Sequence, residues 1–230
     1  MQEVNYHEPA HADLIFDSME NNALLLDLNS VFAVVALPTL KGVHLINAIK
    51  KRLPGKAYGG LIANYTDYIR ASALSEEEKL SLLSDEFSEV FTGCFLRLPW
   101  QETMDSEELI MNGTFQGLIL SEPFRSFAES MHDRMRTRDG DTNALDWLIC
   151  SSANISGDPG GSIVDREAAL KFGRDRGIHY LVSFSTMPES EGKGSFPIFS
   201  YSGGFFKLER NGPGSQNVIS FLRSKDLLSE

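Results

Sequence analysis

Trp147-Leu148-Ile149-Cys150-Ser151-Ser152-Ala153-Asn154-Ile155-Ser156-Gly157-Asp158-Pro159-Gly160-Gly161 is an apolar run that stops abruptly in hydroxyl and amide side chains, then in a turn rich in Gly and Pro. The run from Trp147 to Cys150 has the length of a buried strand. Small polar side chains at the end of such a strand can hydrogen-bond a ligand, and glycine lets that ligand approach the backbone closely. In open α/β sheets the carboxyl ends of strands are where ligands sit. The same residues also read as an ordinary turn, since Ser, Asn, Asp, Pro and Gly are the commonest turn formers.

Outward from this stretch the chain alternates apolar runs with helical patterns, the signature of an α/β fold. On the N-terminal side, Ala12–Asn21 and Val43–Arg52 read as helices, and Leu24–Leu28, Val31–Leu37 and Gly59–Tyr65 as strands. Ser75 and Glu78 have capping-box spacing and open a helix expected to run through Phe87. Val90–Leu98 and Thr114–Leu120 read as strands, separated by a polar segment at 101–112. A helix from Ser121 or Glu122 to Arg138 follows, then a charged loop at 138–143. On the C-terminal side, Ser162 is expected to cap a helix through Asp175, followed by a strand over Ile178–Ser185 and a loop at 187–195. Pro197–Tyr201 and Phe205–Leu208 form a hairpin about Ser202-Gly203-Gly204, and Gln216–Leu228 a last helix. The aromatic residues Phe196, Phe199, Tyr201, Phe205 and Phe206 are read as core.

Charge narrows the function. The 230 residues carry a net charge of −11, which argues against a general nucleic-acid binder. Yet no Asp or Glu occurs between Asp27 and Asp67, an interval that holds Lys41, Lys50, Lys51, Arg52 and Lys56. A basic island in an acidic chain suits a small anionic ligand such as nucleotide phosphates. Lys50 and Arg52 also fit a simpler role, complementing the dipole at a helix C-terminus. On a regular helix, positions two apart point different ways, so these two side chains converge only if the helix ends between them. The five histidines are scattered, and neither cysteine belongs to a CxxC pair; Cys94 and Cys150 are expected to be buried thiols. No protein-held metal site is expected. Asp139-Gly140-Asp141 lacks the remaining positions of a calcium loop. No apolar run reaches the roughly 18 residues of a membrane helix. The segment Met1–His7 lacks a basic region leading into an apolar core, so the expected compartment is the cytoplasm.

Ser152-Ala153-Asn154-Ile155-Ser156-Gly157 resembles the Ser-Ala-Asn-(Leu/Ile)-Ser-Gly signature of the YrdC-like family, the threonylcarbamoyl-adenylate synthases. Ile49-Lys50-Lys51-Arg52-Leu53-Pro54-Gly55-Lys56 resembles that family's Ile-Lys-x-Arg-Pro-x-x-Lys segment, and Pro38-Thr39 its Pro-Thr entry motif, in the same order. The resemblance implies a single α/β domain over 1–230, with a twisted mixed β-sheet flanked by helices. It implies a nucleotidyltransferase that forms threonylcarbamoyl-AMP and pyrophosphate from L-threonine, bicarbonate and ATP with Mg²⁺, in tRNA modification. Carried over, the catalytic residues are Lys50 and Arg52; the nucleotide- and substrate-binding residues are Thr39, Lys56, Ser151, Ser152, Asn154, Ser195 and Arg210. Other family positions are altered. The loop after Pro38-Thr39 is deleted, and Leu118 stands where the Val-Gly-Val-Arg strand has its Arg. A Leu cannot supply the two-pronged contact of an Arg with phosphate. The alternative is a non-catalytic member of the same fold that binds a nucleotide or an RNA end.

Overall fold

The computed structural model describes residues 1–6, 9–101, 109–139, 147–187 and 192–229. In chain order the elements are β1 (Gln2–Asn5), α1 (Pro9–Met19), β2 (Leu24–Asp27), β3 (Phe32–Ala36), α2 (Leu40–Lys50), β4 (Gly59–Ile62), α3 (Tyr65–Ala71), α4 (Glu76–Leu82), α5 (Asp85–Val90), β5 (Phe95–Pro99), β6 (Thr114–Ile119), α6 (Phe124–Asp139), β7 (Ile149–Ser152), α7 (Arg166–Asp175), β8 (Tyr180–Ser183), β9 (Ile198–Ser202), β10 (Phe205–Arg210) and α8 (Ser215–Ser224). The loops expected at 101–112, 138–143 and 187–195 lie partly outside the described residues, as does His7.

The strands form one mixed sheet of 10 in the order β1-β8-β2-β3-β7-β4-β6-β5-β9-β10. The opening stretch thus supplies a strand at the middle of the sheet. β7 runs antiparallel to β3 on one side and to β4 on the other. Alternation sorts the side chains to two faces. Leu26, Ala33, Val35, Leu61, Leu118 and Cys150 join a core with Ile15, Met19, Phe127 and Met131, so α1 and α6 cover that face. Leu25, Val34, Ile62, Leu96 and Ile149 join the core that holds Val43, Ile46, Tyr68, Phe91, Phe172 and Leu222, so α2, α3, α5, α7 and α8 lie on the other.

Where the elements depart from expectation, a local cap or a pairing accounts for it. The capping box of Ser75 and Glu78 is present, but α4 stops at Leu82 because Ser84 caps a second helix, α5, through Phe87 N–H. Val90 therefore ends a helix, and the following strand starts later, at Phe95. Asn64 caps α3 by accepting from Asp67 N–H, which shortens the expected strand to Gly59–Ile62. Asp165, not Ser162, caps α7; the Ser162 hydroxyl instead hydrogen-bonds that of Ser195. The hairpin forms as read, with Gly203 and Gly204 at φ 59° and 87°, the left-handed pair its tight turn needs. Phe199, Tyr201 and Phe206 are core, but Phe205 is 51% exposed, on the solvent side of an edge strand. β1, only four residues long and polar but for the buried Val4, gave no sequence signal; it pairs in parallel with β8 at the sheet edge.

Candidate anion site at the end of the central strand

α2 aims its last residues at the end of β7. Thr39 caps its N-terminus, its Oγ1 accepting from Gly42 N–H at 3.1 Å. Gly42 is required there, because a Cβ would stand 2.0 Å from the Leu37 carbonyl oxygen. At the other end Lys51 takes up the left-handed conformation, φ 46°, and Arg52 N–H donates to the Asn47 carbonyl. A non-glycine residue there costs about 1–2 kcal/mol. The turn it makes brings Lys50 and Arg52 to the same target. Lys50 is the last helical residue and Arg52 the first beyond the cap, so the helix ends between them.

Lys50 is 2% exposed, and its Nζ donates to the Ser152 carbonyl and to Asn154 Oδ1, the latter at 2.7 Å. Arg52 Nη1 donates to Ser151 Oγ at 2.9 Å, and its Nη2 to the Ala57 carbonyl at 2.6 Å. The guanidinium lies over the Tyr58 ring, 4.3 Å from its centroid, and its buried Nε has no hydrogen-bond partner. Burial, reinforced by the neighbouring Arg52 charge, pulls the Lys50 pKa down to about 7. Burial likewise lowers that of Arg52. Among the described residues, no carboxylate pairs with either cation.

Register extends the site across the sheet. Cys150 pairs with Gly59, Gly59 with Gln116 and Gln116 with Arg97. These residues share a face, and Arg97 Nη2 donates to Gln116 Oε1 at 2.7 Å. Gly59 keeps the row close, since a Cβ there would meet the Phe95 ring at 2.3 Å and Cys150 Sγ at 3.1 Å. Over this row lies a cavity of about 80 Å³, lined by Gln116, Ser151, Ser152, Ser195, Phe196 and Arg210 among others. Arg210 is an exposed residue whose Nε and Nη2 donate to the Phe196 carbonyl at 3.1 and 2.6 Å. Partial desolvation of its guanidinium, then the nearby charge of Arg97, lowers its pKa. Cys150, a buried free thiol, is pushed up to about 12 by burial, against the opposing pull of Arg52, Lys50 and Arg210. It is a wall residue, far from the thiolate form a nucleophile needs.

The structure therefore brings Lys50 and Arg52 onto Ser151, Ser152 and Asn154; of these Ser151 and Ser152 line the cavity itself, together with Ser195 and Arg210. Thr39 stands apart as an exposed helix cap, about 16 Å away along an 11-residue helix. The Lys56 side chain is exposed, and its carbonyl accepts from Arg52. Leu118 is 1% exposed in the apolar core under α6. Sequence reading missed Arg97 and Gln116. The available signal was a cation inside an otherwise apolar strand, Phe95-Leu96-Arg97-Leu98.

Among the described residues no three His, Cys, Asp or Glu side chains stand close enough together to hold a metal ion. No step is therefore assigned to a protein-held Mg²⁺. No described helix is long and apolar enough to cross a membrane.

Solved structures carry the same architecture. An H234A/Y235A variant of P. abyssi Sua5 superposes with a TM-score of 0.68 over 92% of this chain at 15% identity. E. coli YciO matches with a TM-score of 0.64 at 9% identity, over 91% of this chain and 93% of its own. HypF in its phosphate- and nucleotide-bound form matches with 0.60 at 16% identity, over 90% of this chain and 29% of its own. This chain spans 60% of the Sua5 chain. No family model matches the sequence, and no curated protein does. The fold is YrdC-like.

Proposed function

We propose that the cavity at the end of β7 binds the phosphate of a nucleotide, and that the chain forms a carbamoyl-adenylate from ATP. One observation carries this reading: Lys50 and Arg52 are desolvated without a carboxylate among the described residues. An unpaired cation taken out of water is costly, and an incoming anion relieves that cost. The neutral partners are arranged to help. Asn154 accepts from Lys50 through Oδ1, which leaves its amide N–H groups for a ligand. Ser151 accepts from Arg52 through Oγ, which leaves its O–H to donate.

In the reaction, the amine of an amino acid, threonine in the synthases the motifs resemble, combines with bicarbonate to give a carbamate and water. A carbamate oxygen then attacks the α-phosphorus of ATP, and the bond to the β-phosphate oxygen breaks, releasing pyrophosphate. Lys50 and Arg52 would stabilise charge that builds on the phosphorus oxygens, while Ser151, Ser152 and Asn154 orient the nucleotide. The likenesses support this, since one Sua5 structure is a complex with L-threonine and the HypF structure holds nucleotide and phosphate. A coupled assay of pyrophosphate release tests it. Release that requires both bicarbonate and an amino acid is expected, with threonine and leucine compared; none with either at high protein concentration sinks the synthase reading.

A specific observation favours a second reading, binding without turnover. Leu118, at the position of the family's arginine, is sealed in an apolar core and offers a triphosphate nothing. Calorimetry with ATP, AMP and a short RNA separates the two. AMP bound as tightly as ATP supports the binding-only reading, and a preference for RNA would shift it towards an RNA end.

A further inference from the structure

A second cavity adjoins the first and is the more apolar of the two, although Asn29, Ser30, Thr92 and Ser121 also stand on its lining. It measures about 180 Å³ and is walled by Leu28, Leu118, Leu120, Phe124 and Phe196. Leu118, Leu120 and Phe124 are 1%, 5% and 4% exposed, so the wall is part of the core under α6. Leu28 and Phe196 line both cavities. The polar chamber and the apolar one therefore share a partition. Phe196 offers its carbonyl to Arg210, while its side chain packs against the apolar core.

We propose that the apolar chamber receives the side chain of an α-amino acid, branched aliphatic or aromatic, whose carboxylate is held by Arg210 in the neighbouring pocket. This rests on reading that pocket as an anion site. Size sets the class of side chain: a protein cavity of about 150 Å³ lined by Leu, Ile and Phe stays dry and holds benzene. A four- to seven-carbon group, roughly, fits such a space, whereas the side chain of threonine leaves most of it empty. Position sets the charged end. Arg210 spends Nε and Nη2 on the Phe196 carbonyl, and its Nη1 makes no hydrogen bond among the described residues. That donor belongs to a guanidinium held against the very residue that parts the two chambers. A carboxylate joined to an apolar side chain by a single carbon matches this neighbourhood of charge and oil. The second substrate of the proposed adenylation is then a hydrophobic amino acid.

Calorimetry with L-leucine, L-phenylalanine, L-threonine and L-leucinamide, run beside AMP on the whole chain, tests the assignment. Leucine or phenylalanine should bind at least about tenfold more tightly than threonine, as expected when methylenes fill an apolar pocket. Leucinamide, without the carboxylate, should lose most of that affinity. Leu120→Phe, which fills the chamber, should abolish the preference for leucine and leave AMP affinity within about twofold of the unaltered chain's, well inside the discrimination of one methylene. Ser121→Trp at the rim gives the same readout should Leu120→Phe melt early. AMP binding with leucine no tighter than threonine overturns the assignment and leaves the nucleotide site standing. A leucine preference without AMP binding keeps the apolar chamber and removes the nucleotide reading.

Discussion

Cations at the surface and cations at the end of β7 keep different company. On the surface, Lys171 sits 2.5 Å from Asp175, Arg125 2.7 Å from Glu122, Arg134 2.8 Å from Asp13 and Lys225 3.1 Å from Glu86. At the site, the partners of Lys50, Arg52, Arg97 and Arg210 among the described residues are carbonyl, amide and hydroxyl oxygens. A chain with 32 acidic residues against 21 basic ones does not lack carboxylates. Exposed pairs contribute little, because water screens them. The buried Lys50 and half-buried Arg52, held by neutral acceptors, are a different arrangement: their desolvation is not offset until an anion arrives. Company alone does not set the site apart, since exposed Lys41 and Lys193 also donate to neutral oxygens; the burial of Lys50 and of most of Arg52 does.

The largest effect that could break this contrast is on Arg52. Arg52→Ala should lose about 1.5–3 kcal/mol of nucleotide binding, the worth of a charged hydrogen bond, which is roughly tenfold or more in affinity. Arg52→Lys should recover only part of it, since an ammonium cannot span Ser151, Ala57 and a phosphate oxygen from one plane. Calorimetry reads both.

Lys50 gives a pH signature. Its folded pKa of about 7 lies below the 10.5 of the unfolded chain, so between these values the unfolded state holds more protons. Stability of the unliganded protein should therefore rise with pH across that window, and Lys50→Met should flatten the rise in melting temperature. Binding carries the opposite slope, because an anion prefers the protonated amine. One unit above the pKa about a tenth of the amine stays charged, so affinity should fall roughly fivefold from pH 7 to 8, and the fall should vanish in Lys50→Met.

A smaller change is expected at Ser151. Removing the hydroxyl that orients Arg52 should cost about 0.5–1.5 kcal/mol of binding, a few-fold, with the melting temperature nearly unchanged. The smallest belongs to the surface. Lys171→Ala should alter stability by no more than about 0.5 kcal/mol and leave nucleotide affinity untouched. A comparable loss of affinity in Lys171→Ala and Arg52→Ala would erase the distinction between the two regions.

Much of the fold was legible because its signals are local. The apolar run into Ser151-Ser152, the Ser75–Glu78 box and the Gly203-Gly204 turn each act within a few residues. β1 was not legible, since a four-residue segment with three polar side chains and a single Val becomes a strand only by pairing with β8, some 180 positions away by register. The division into α4 and α5 turned on whether Ser84 caps or lies within a helix, and periodicity does not distinguish these. Of the site, Lys50, Arg52, Ser151, Ser152 and Asn154 were found through the two motifs. Arg97 and Gln116 were not, because they reach the cavity only through the pairing of β5 with β6 and of β6 with β4. Thr39 was carried over by motif to a position that, with the following loop deleted, serves as a helix cap.

Titration calorimetry of AMP and ATP against the unaltered chain, Arg52→Ala and Lys50→Met tests the central claim most directly. The account predicts saturable binding to the unaltered chain, weakened tenfold or more in Arg52→Ala and stripped of its dependence on pH in Lys50→Met. Equal affinity in all three, or none in any, would contradict it and leave the unpaired cations as features of the fold alone.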